Sequence, residues 1–351
     1  MKTKPNKIVL NLIFLLIMLV TIRCNDDPVA PPPPYKPDST SHEIVWEIDT
    51  LGTWQSDLND VWGSSPDNVW AIGWLRNETW GTNIIHYDGE KWEEYDYYEA
   101  ELRGIFGLNE NDIWAVGNNL SIPARDALIA HYNGKEWKTI YEKIGMPSLR
   151  NVWASGPNDA FAIGSEGTIL HYNGNSWSQM ESGTKYHLKD IWGFASDDVY
   201  ACGGNINNAV YRDKPILLHY DGTSWESLLD TTKEENDHIV SNWGTSSNNL
   251  YFSSVSGFYQ GSANNGWTSS IIPDDNTAKR KLRGSSEYNI FITGAFGLVL
   301  HYNGKTWYRY DEIFSKSYPY GPTLTGIMAF QNSVFLVGYE GNMTCPRISV
   351  H

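Results

Sequence analysis

The stretch that decides the fold is residues 149–177, LRNVWASGPNDAFAIGSEGTILHYNGNSW. It reads as four short apolar runs separated by turn residues, which predicts four short strands. Variants of it recur along most of the chain. The first run returns as Leu58-Asn-Asp-Val-Trp62, Leu102-Arg-Gly-Ile-Phe106, Leu188-Lys-Asp-Ile-Trp192, Ile239-Val-Ser-Asn-Trp243, Leu282-Arg-Gly-Ser-Ser286 and Leu324-Thr-Gly-Ile-Met328. With residues 149–153 these make seven copies, spaced by 39 to 51 residues.

A second run of the Val-Trp-Ala-Ile-Gly kind follows each copy. A third ends in His-Tyr-Asn/Asp-Gly at His86, His131, His171, His219 and His301; the fifth copy has Gly261 in place of the His and the seventh has Cys345. The fourth run starts with Trp92, Trp137, Trp177, Trp225, Trp267 or Trp307, one fewer than the other runs. The missing outer strand is expected from the other end of the chain, at Glu43-Ile-Val-Trp-Glu-Ile48. The expected fold is therefore all-β: a seven-bladed β-propeller of four-stranded antiparallel blades, the last completed by the N-terminal strand. Radial closure leaves only short protected strand edges. Asn-Gly and Asp-Gly after the third run predict type I′ hairpins.

The pattern VWG…DVWAVG…ILHYNG…W resembles propeller repeats of bacterial secreted proteins and lipoproteins. It is distantly similar to the Asp-box repeats of sialidases and to photosystem II assembly-factor propellers. The resemblance covers residues 43–351 and speaks for fold; one propeller scaffold hosts many activities.

The N-terminus reads as an address. Lys2, Lys4 and Lys7 precede an apolar run at 8–22, followed by Arg23-Cys24. That is a signal-peptide layout, too short for a membrane span. Cys24 stands where a bacterial lipoprotein carries its lipid, although Arg23 departs from the small residue usual before it. The four prolines at 31–34 lie in a stretch expected to be an extended spacer. The expected layout is 1–23 signal peptide, 24–41 Cys plus Pro-rich linker and 42–351 β-propeller. The mature protein is then an outer-membrane lipoprotein displayed at the cell surface, as a monomer.

With a net charge of −15 the chain has no basic surface of the kind that nucleic acid requires. Three cysteines, Cys24, Cys202 and Cys345, make no disulfide framework. The repeated His residues sit one per blade, too far apart to converge on a metal ion, and no metal or cofactor is expected. The irregular, long connections all fall on one face, which marks it as the binding face. They carry Trp74, Arg76, Trp80, Tyr97, Tyr98, Arg125, Tyr186, Tyr211, Arg212, Tyr318 and Tyr320. Aromatic rings among polar groups suit a glycan, peptide or protein ligand. The cations after the leading Leu (Arg103, Arg150, Lys189 and Arg283) are expected to ring the channel mouth on that face. Two charges about 10 Å apart in water repel by only roughly 0.4 kcal/mol, so such a ring needs no ligand in order to exist.

The function expected is a non-enzymatic binding or interaction module. The alternatives are a carbohydrate-active enzyme using two acids among Glu78, Asp126, Asp213, Glu234 and Glu235, which must lie roughly 5 to 9.5 Å apart, or a structural envelope scaffold.

Overall fold

The computed structural model describes residues 39–52, 56–76, 81–95, 97, 100–119, 126–204, 214–229, 238–254, 257–273, 277–314, 321–340 and 347–350. The chain is an all-β propeller of four-stranded antiparallel blades. The expected count of seven blades is corrected to six, each with four strands consecutive in the chain. Their innermost strands are Asp57–Ser65, Ala100–Asn109, Leu149–Gly156, Leu188–Ala195, Ile239–Ser246 and Lys279–Ser286 (blades 1 to 6). The remaining four-stranded sheet is composite. Pro322–Ala329 pairs with Val334–Glu340, which pairs with Arg347–Val350, and the outer strand comes from the N-terminal side. That outer strand is Glu47–Thr50, later than the expected 43–48, with Glu47 opposite Val350 and Thr50 opposite Arg347. Residues 43–46 instead lie outside any strand, with Ile44 and Trp46 packed on the core of blade 6 and the composite sheet. Pro322–Ala329 packs against both Lys279–Ser286 and Asp57–Ser65, so the innermost strands close a circle.

The core lies between blades. One cluster joins Trp70, Ile72 and Ile84 of blade 1 to Leu102, Ile105 and Ile113 of blade 2, all buried. Aromatic side chains of one innermost strand rest on a glycine of the next. A Cβ added to Gly107 would lie 2.6 Å from the ring of Trp62, and one on Gly193 would lie 2.6 Å from that of Trp153.

A β-bulge follows the leading residue of every innermost strand, at Leu58/Asp60, Leu102/Gly104, Leu149/Asn151, Leu188/Asp190, Ile239/Ser241, Lys279/Lys281 and Leu324/Gly326. A bulge re-aims one side chain and kinks its strand. Here the kink drives the preceding carbonyl onto the second strand, where every blade but blade 5, which has Ser254, places a glycine. A Cβ on Gly117 would lie 2.0 Å from the Glu101 carbonyl oxygen, and one on Gly203 would lie 2.0 Å from that of His187. This explains the glycine that ends the second run of the repeat.

The repeated His belongs to the blade itself. His131, His171 and His219 place Nε2 2.7, 2.6 and 2.8 Å from the carboxylates of Asp112, Asp159 and Asp198. His86 and His301 meet Asn68 and Asn289 in the same way, at 2.6 and 3.0 Å. Each imidazole also packs on the aromatic residue opposite it, for example His131 on Trp114 at 4.2 Å and His171 on Phe161 at 4.4 Å. In blade 5 the position is filled by Gln260, opposite Tyr251, and not by Gly261 as the sequence alignment has it. Gln260 donates from Nε2 to Asn249 Oδ1 at 2.8 Å, so it reproduces the bond that the His makes elsewhere.

The turn chemistry also differs from expectation. In the third hairpin of blade 1, Asp88 N donates to Lys91 O and encloses Gly89 and Glu90. Only Gly89 has positive φ, at 96°, which is the type II′ pattern and not I′. Asp88 Oδ1 accepts from the amides of Glu90 and Lys91, both at 2.9 Å, and holds the turn. The I′ pattern occurs one connection earlier, where Glu166 and Gly167 have φ of 55° and 71°, as do Phe296 and Gly297 at 55° and 72°.

Gly117→Ala is expected to destabilise the protein by about 1–3 kcal/mol, because backbone and not a flexible side chain must yield. A urea midpoint equal to wild type would refute the close approach of the bulged strand.

Candidate functional site

The bulge decides what lines the channel. The bulged residues are Asn59, Arg103, Arg150, Lys189, Val240, Arg280 and Thr325, and all seven line one cavity of ≈200 Å³ on the axis. The cavity opens at the start of the innermost strands, beside the connections between the second and third strands: Arg103 Nε donates to Asn118 Oδ1 at 3.3 Å and Arg150 Nε to Ser165 Oγ at 3.3 Å. Four of the seven side chains are cationic. Arg103 is held by Glu101, Nη2 to Oε1 2.6 Å. Burial, and then the nearby charge of Arg103, lower the proton affinity of the Arg150 guanidinium. His187 sits beside them, its basicity lowered first by burial and then by Arg150. Its Nδ1 accepts the Glu166 amide at 3.0 Å, so the ring proton resides on Nε2.

The fourth cation is Arg280, not Arg283. The leading residue stands 15 positions before the glycine it faces in the strand pairs Leu102/Gly117, Leu149/Gly164 and Leu188/Gly203. Lys279 faces Gly294 at the same spacing, so blade 6 begins at Lys279 and the Leu282-Arg-Gly match is three residues out of register. Constancy of that spacing is the signal that identifies Arg280.

Arg283 therefore occupies the place that holds Trp62, Phe106, Trp153 and Trp192 in other blades. It lines a second axial cavity of ≈100 Å³ with Trp62, Phe106, Trp192, Trp243 and Met328. Its guanidinium lies 5.5 Å from the centre of the Trp192 ring, a cation–π distance. It grips Asp190 with both forks, Nη1 to Oδ2 2.7 Å and Nη2 to Oδ1 2.8 Å. Lys281 Nζ reaches Asp60 Oδ2 at 3.1 Å and Asp190 Oδ1 at 3.4 Å. Ser241 Oγ, the Asn242 amide and Asn151 Nδ2 donate to the Asp190 carboxylate as well. Two acids and two bases thus form a buried, neutral plug between the two cavities. Burial alone would raise the Asp190 carboxyl, but Arg283, Lys281 and these hydrogen bonds overcome it and hold it at about 2. For Asp60 burial prevails, and its carboxyl is raised in spite of Lys281.

The remaining candidates are distributed as follows. Trp74 is half-buried with its ring against Gly81, and Arg76 is exposed at the end of its strand, its amide donating to Ser56 Oγ at 2.9 Å. Tyr97 is buried, its hydroxyl 2.7 Å from Thr139 Oγ1, and Tyr186 packs into the core between blades 3 and 4, so neither belongs to an aromatic rim. Trp80, Tyr98, Arg125, Tyr211, Arg212, Tyr318 and Tyr320 lie outside the described residues, as do Cys24 and Cys345. So do four of the candidate acids, Glu78, Asp213, Glu234 and Glu235; the fifth, Asp126, is buried and its Oδ1 accepts the Gly145 amide at 2.7 Å. Cys202 is a buried free thiol, pushed up by burial. Among the described residues no group of three His, Cys, Asp or Glu is placed to hold a metal ion.

An all-β propeller with a polar axial mouth is thus the class that the fold defines. In sequence, no known family and no curated protein matches the chain. In structure it is similar to YCF48 with a D1 peptide bound, at 17% identity and a TM-score of 0.63 over 89% of this chain and 97% of that one. It is similar also to YCF48 from Cyanidioschyzon merolae (15%, 0.61, 88% and 99%). The third is an inactive virginiamycin B lyase from Staphylococcus aureus with quinupristin (11%, 0.63, 87% and 99%). At these identities the likeness is one of fold; it supports a distant propeller relationship.

Asp190→Asn is expected to cost about 3–5 kcal/mol at neutral pH, because Arg283 and Lys281 are left without their counter-charge in a buried site. The Asp190 carboxyl is lower in the folded than in the unfolded chain, so its stabilisation is full above about pH 4 and fades towards pH 2. The gap between wild type and variant in urea unfolding should shrink over that window. A constant gap would show that the carboxylate charge does not hold the plug.

Proposed function

We propose that this chain is a binding module of the bacterial cell envelope that takes an anionic segment of a peptide or protein partner at the cation-lined channel mouth. One observation carries this reading: the repeated bulge aims Arg103, Arg150, Lys189 and Arg280 into one ≈200 Å³ cavity of a molecule whose net charge is −15. Charges of one sign gathered in a concave, low-dielectric wall focus the field and attract the opposite sign. The neutral plug below the mouth does not cancel them. Carboxylates of the partner would accept from the guanidinium forks, which are shaped for that group. The peptide bound by the structurally similar YCF48 supports a ligand of this class. In the same reading the propeller is exported, anchored through a lipid on Cys24 and held away from the membrane by the Pro-rich segment.

Two measurements test the proposal. Residues 38–351 form one compact unit and can be titrated with a short Asp/Glu-rich peptide and with its Asn/Gln counterpart. The acidic peptide should bind, its affinity should fall with salt, and Arg150→Ala or Arg280→Ala should weaken it about 10- to 100-fold, the worth of one charged hydrogen bond of about 1.5–3 kcal/mol. Equal binding of both peptides, or wild-type affinity in Arg280→Ala, would overturn it. For the anchor, Cys24→Ala should move the protein from the membrane fraction to the soluble one; retention at the membrane would refute lipidation.

A further inference from the structure

The segment at 39–46 crosses the outside of blade 6 before it becomes the outer strand Glu47–Thr50 of the composite sheet. Its contacts form a strap. The Thr40 amide donates to the Asn303 carbonyl at 3.1 Å, and its hydroxyl to the Tyr288 carbonyl at 2.6 Å. The Tyr310 hydroxyl donates to the His42 carbonyl at 2.8 Å, and Trp46 meets the Tyr310 ring edge-on at 5.2 Å. At its centre two imidazoles touch: His42 Nδ1 lies 3.0 Å from His301 Nδ1.

The proton positions in this contact are fixed by their surroundings. Asn289 Nδ2 donates to Ser285 Oγ at 2.8 Å and to the Phe330 carbonyl at 3.1 Å, so its oxygen is the atom facing His301. Nε2 of His301, 3.0 Å from that oxygen, must carry the hydrogen, which leaves Nδ1 as an acceptor. His42 then donates from Nδ1, and its Nε2 accepts from the Thr306 hydroxyl at 3.0 Å. The chain Thr306–His42–His301–Asn289 is complete with both rings neutral. One added proton can be held, because the Thr306 hydroxyl can turn towards Asn303 Oδ1 and accept from His42 Nε2. A proton on each ring sets two N–H groups against each other at the 3.0 Å Nδ1 contact.

Blades 2, 3 and 4 have Asp112, Asp159 and Asp198 where blade 6 has Asn289, so their imidazoles can be protonated and keep their partner as an ion pair. Blade 6 lacks that compensation. Tyr308, stacked on His42 at 5.4 Å, and Tyr310, Thr40, Thr306 and Asn289 are all uncharged at neutral and mildly acid pH. Glu312 acts on Tyr310, and among the described residues no carboxylate is in hydrogen-bond contact with either ring.

We propose that the strap at 39–46 is an acid-released latch: it is closed on blade 6 at neutral pH and lets go in mildly acidic surroundings, freeing the N-terminal outer strand of the composite sheet. The burial that drives His301 down to about 3, with His42 adding to it, and that lowers His42, agrees with this. A base whose folded value lies below its unfolded 6.5 stabilises the closed state above that value. His301 gives up that contribution as pH falls from 6.5 towards 3, tenfold per pH unit, and His42 acts in the same direction.

The test is amide hydrogen exchange of the full chain at pH 7.5 and pH 5.0, corrected for the intrinsic rate. Protection across 40–50 should fall at least tenfold at pH 5.0, while the His-bearing strands of blades 2 to 4 keep theirs. His42→Gln, which can donate and accept without titrating, should reduce the fall to the part that burial of His301 supplies. Asn289→Asp, which gives His301 the acid found in the other blades, raises its folded value towards 6.5 and should shrink the fall. Unchanged protection in wild type would overturn the latch. So would a fall of the same size in wild type and both variants.

Discussion

Four charged side chains drawn from blades 1, 4 and 6 meet on the axis, and the rest of the channel is arranged around them. Each would cost several kcal/mol to bury alone. Asp190 is affordable there because Arg283 grips it with two hydrogen bonds, Lys281 bridges it to Asp60, and Ser241, Asn242 and Asn151 fill its remaining lone pairs. Their formal charges sum to zero. The plug therefore ties distant blades together without screening the four cations of the mouth, and it separates them from the aromatic cavity at the other end of the axis.

The repeat made the fold legible. Four runs per unit, a glycine closing the second and a tryptophan opening the fourth all reappear as strands in the expected order, because each records a contact that every blade must make. The glycine is there because a bulged carbonyl crowds the place of a Cβ; blade 5, with Ser254, is the exception. Matching short strings failed where a blade changes its residues but keeps its register. In blade 6 the Leu282-Arg-Gly string imitates the leading motif while Lys279 holds the leading place. In blade 5 Gln260 does the work of a histidine. The distance to the strand-closing glycine survives such changes because it is set by backbone pairing.

The candidate site was less legible, for a different reason. That Arg103, Arg150 and Lys189 share a mouth follows from their equivalent places in a ring. That Asp60 and Lys281, 221 positions apart, form an ion pair does not, since nothing local to either residue encodes the partner. Most of the aromatic residues expected on the long connections fall outside the described residues, and the functional proposal stands on the cations of the channel mouth. A propeller frame carries many unrelated ligands, and it is the departures from the repeat that separate this chain from others of the same shape.

Arg283 is one such departure, and it has a consequence for recognition. A ring of identical blades would offer a ligand several equivalent poses related by rotation about the axis, with no preference among them. Replacing an aromatic residue by an arginine in one blade only, and drawing Asp190 towards it, gives the axis a fixed compass bearing. Any molecule seated in the mouth meets Asp190 and Lys281 in its lining, where no equivalent residue of another blade adds a charge, and so has one orientation that differs in energy from all the others.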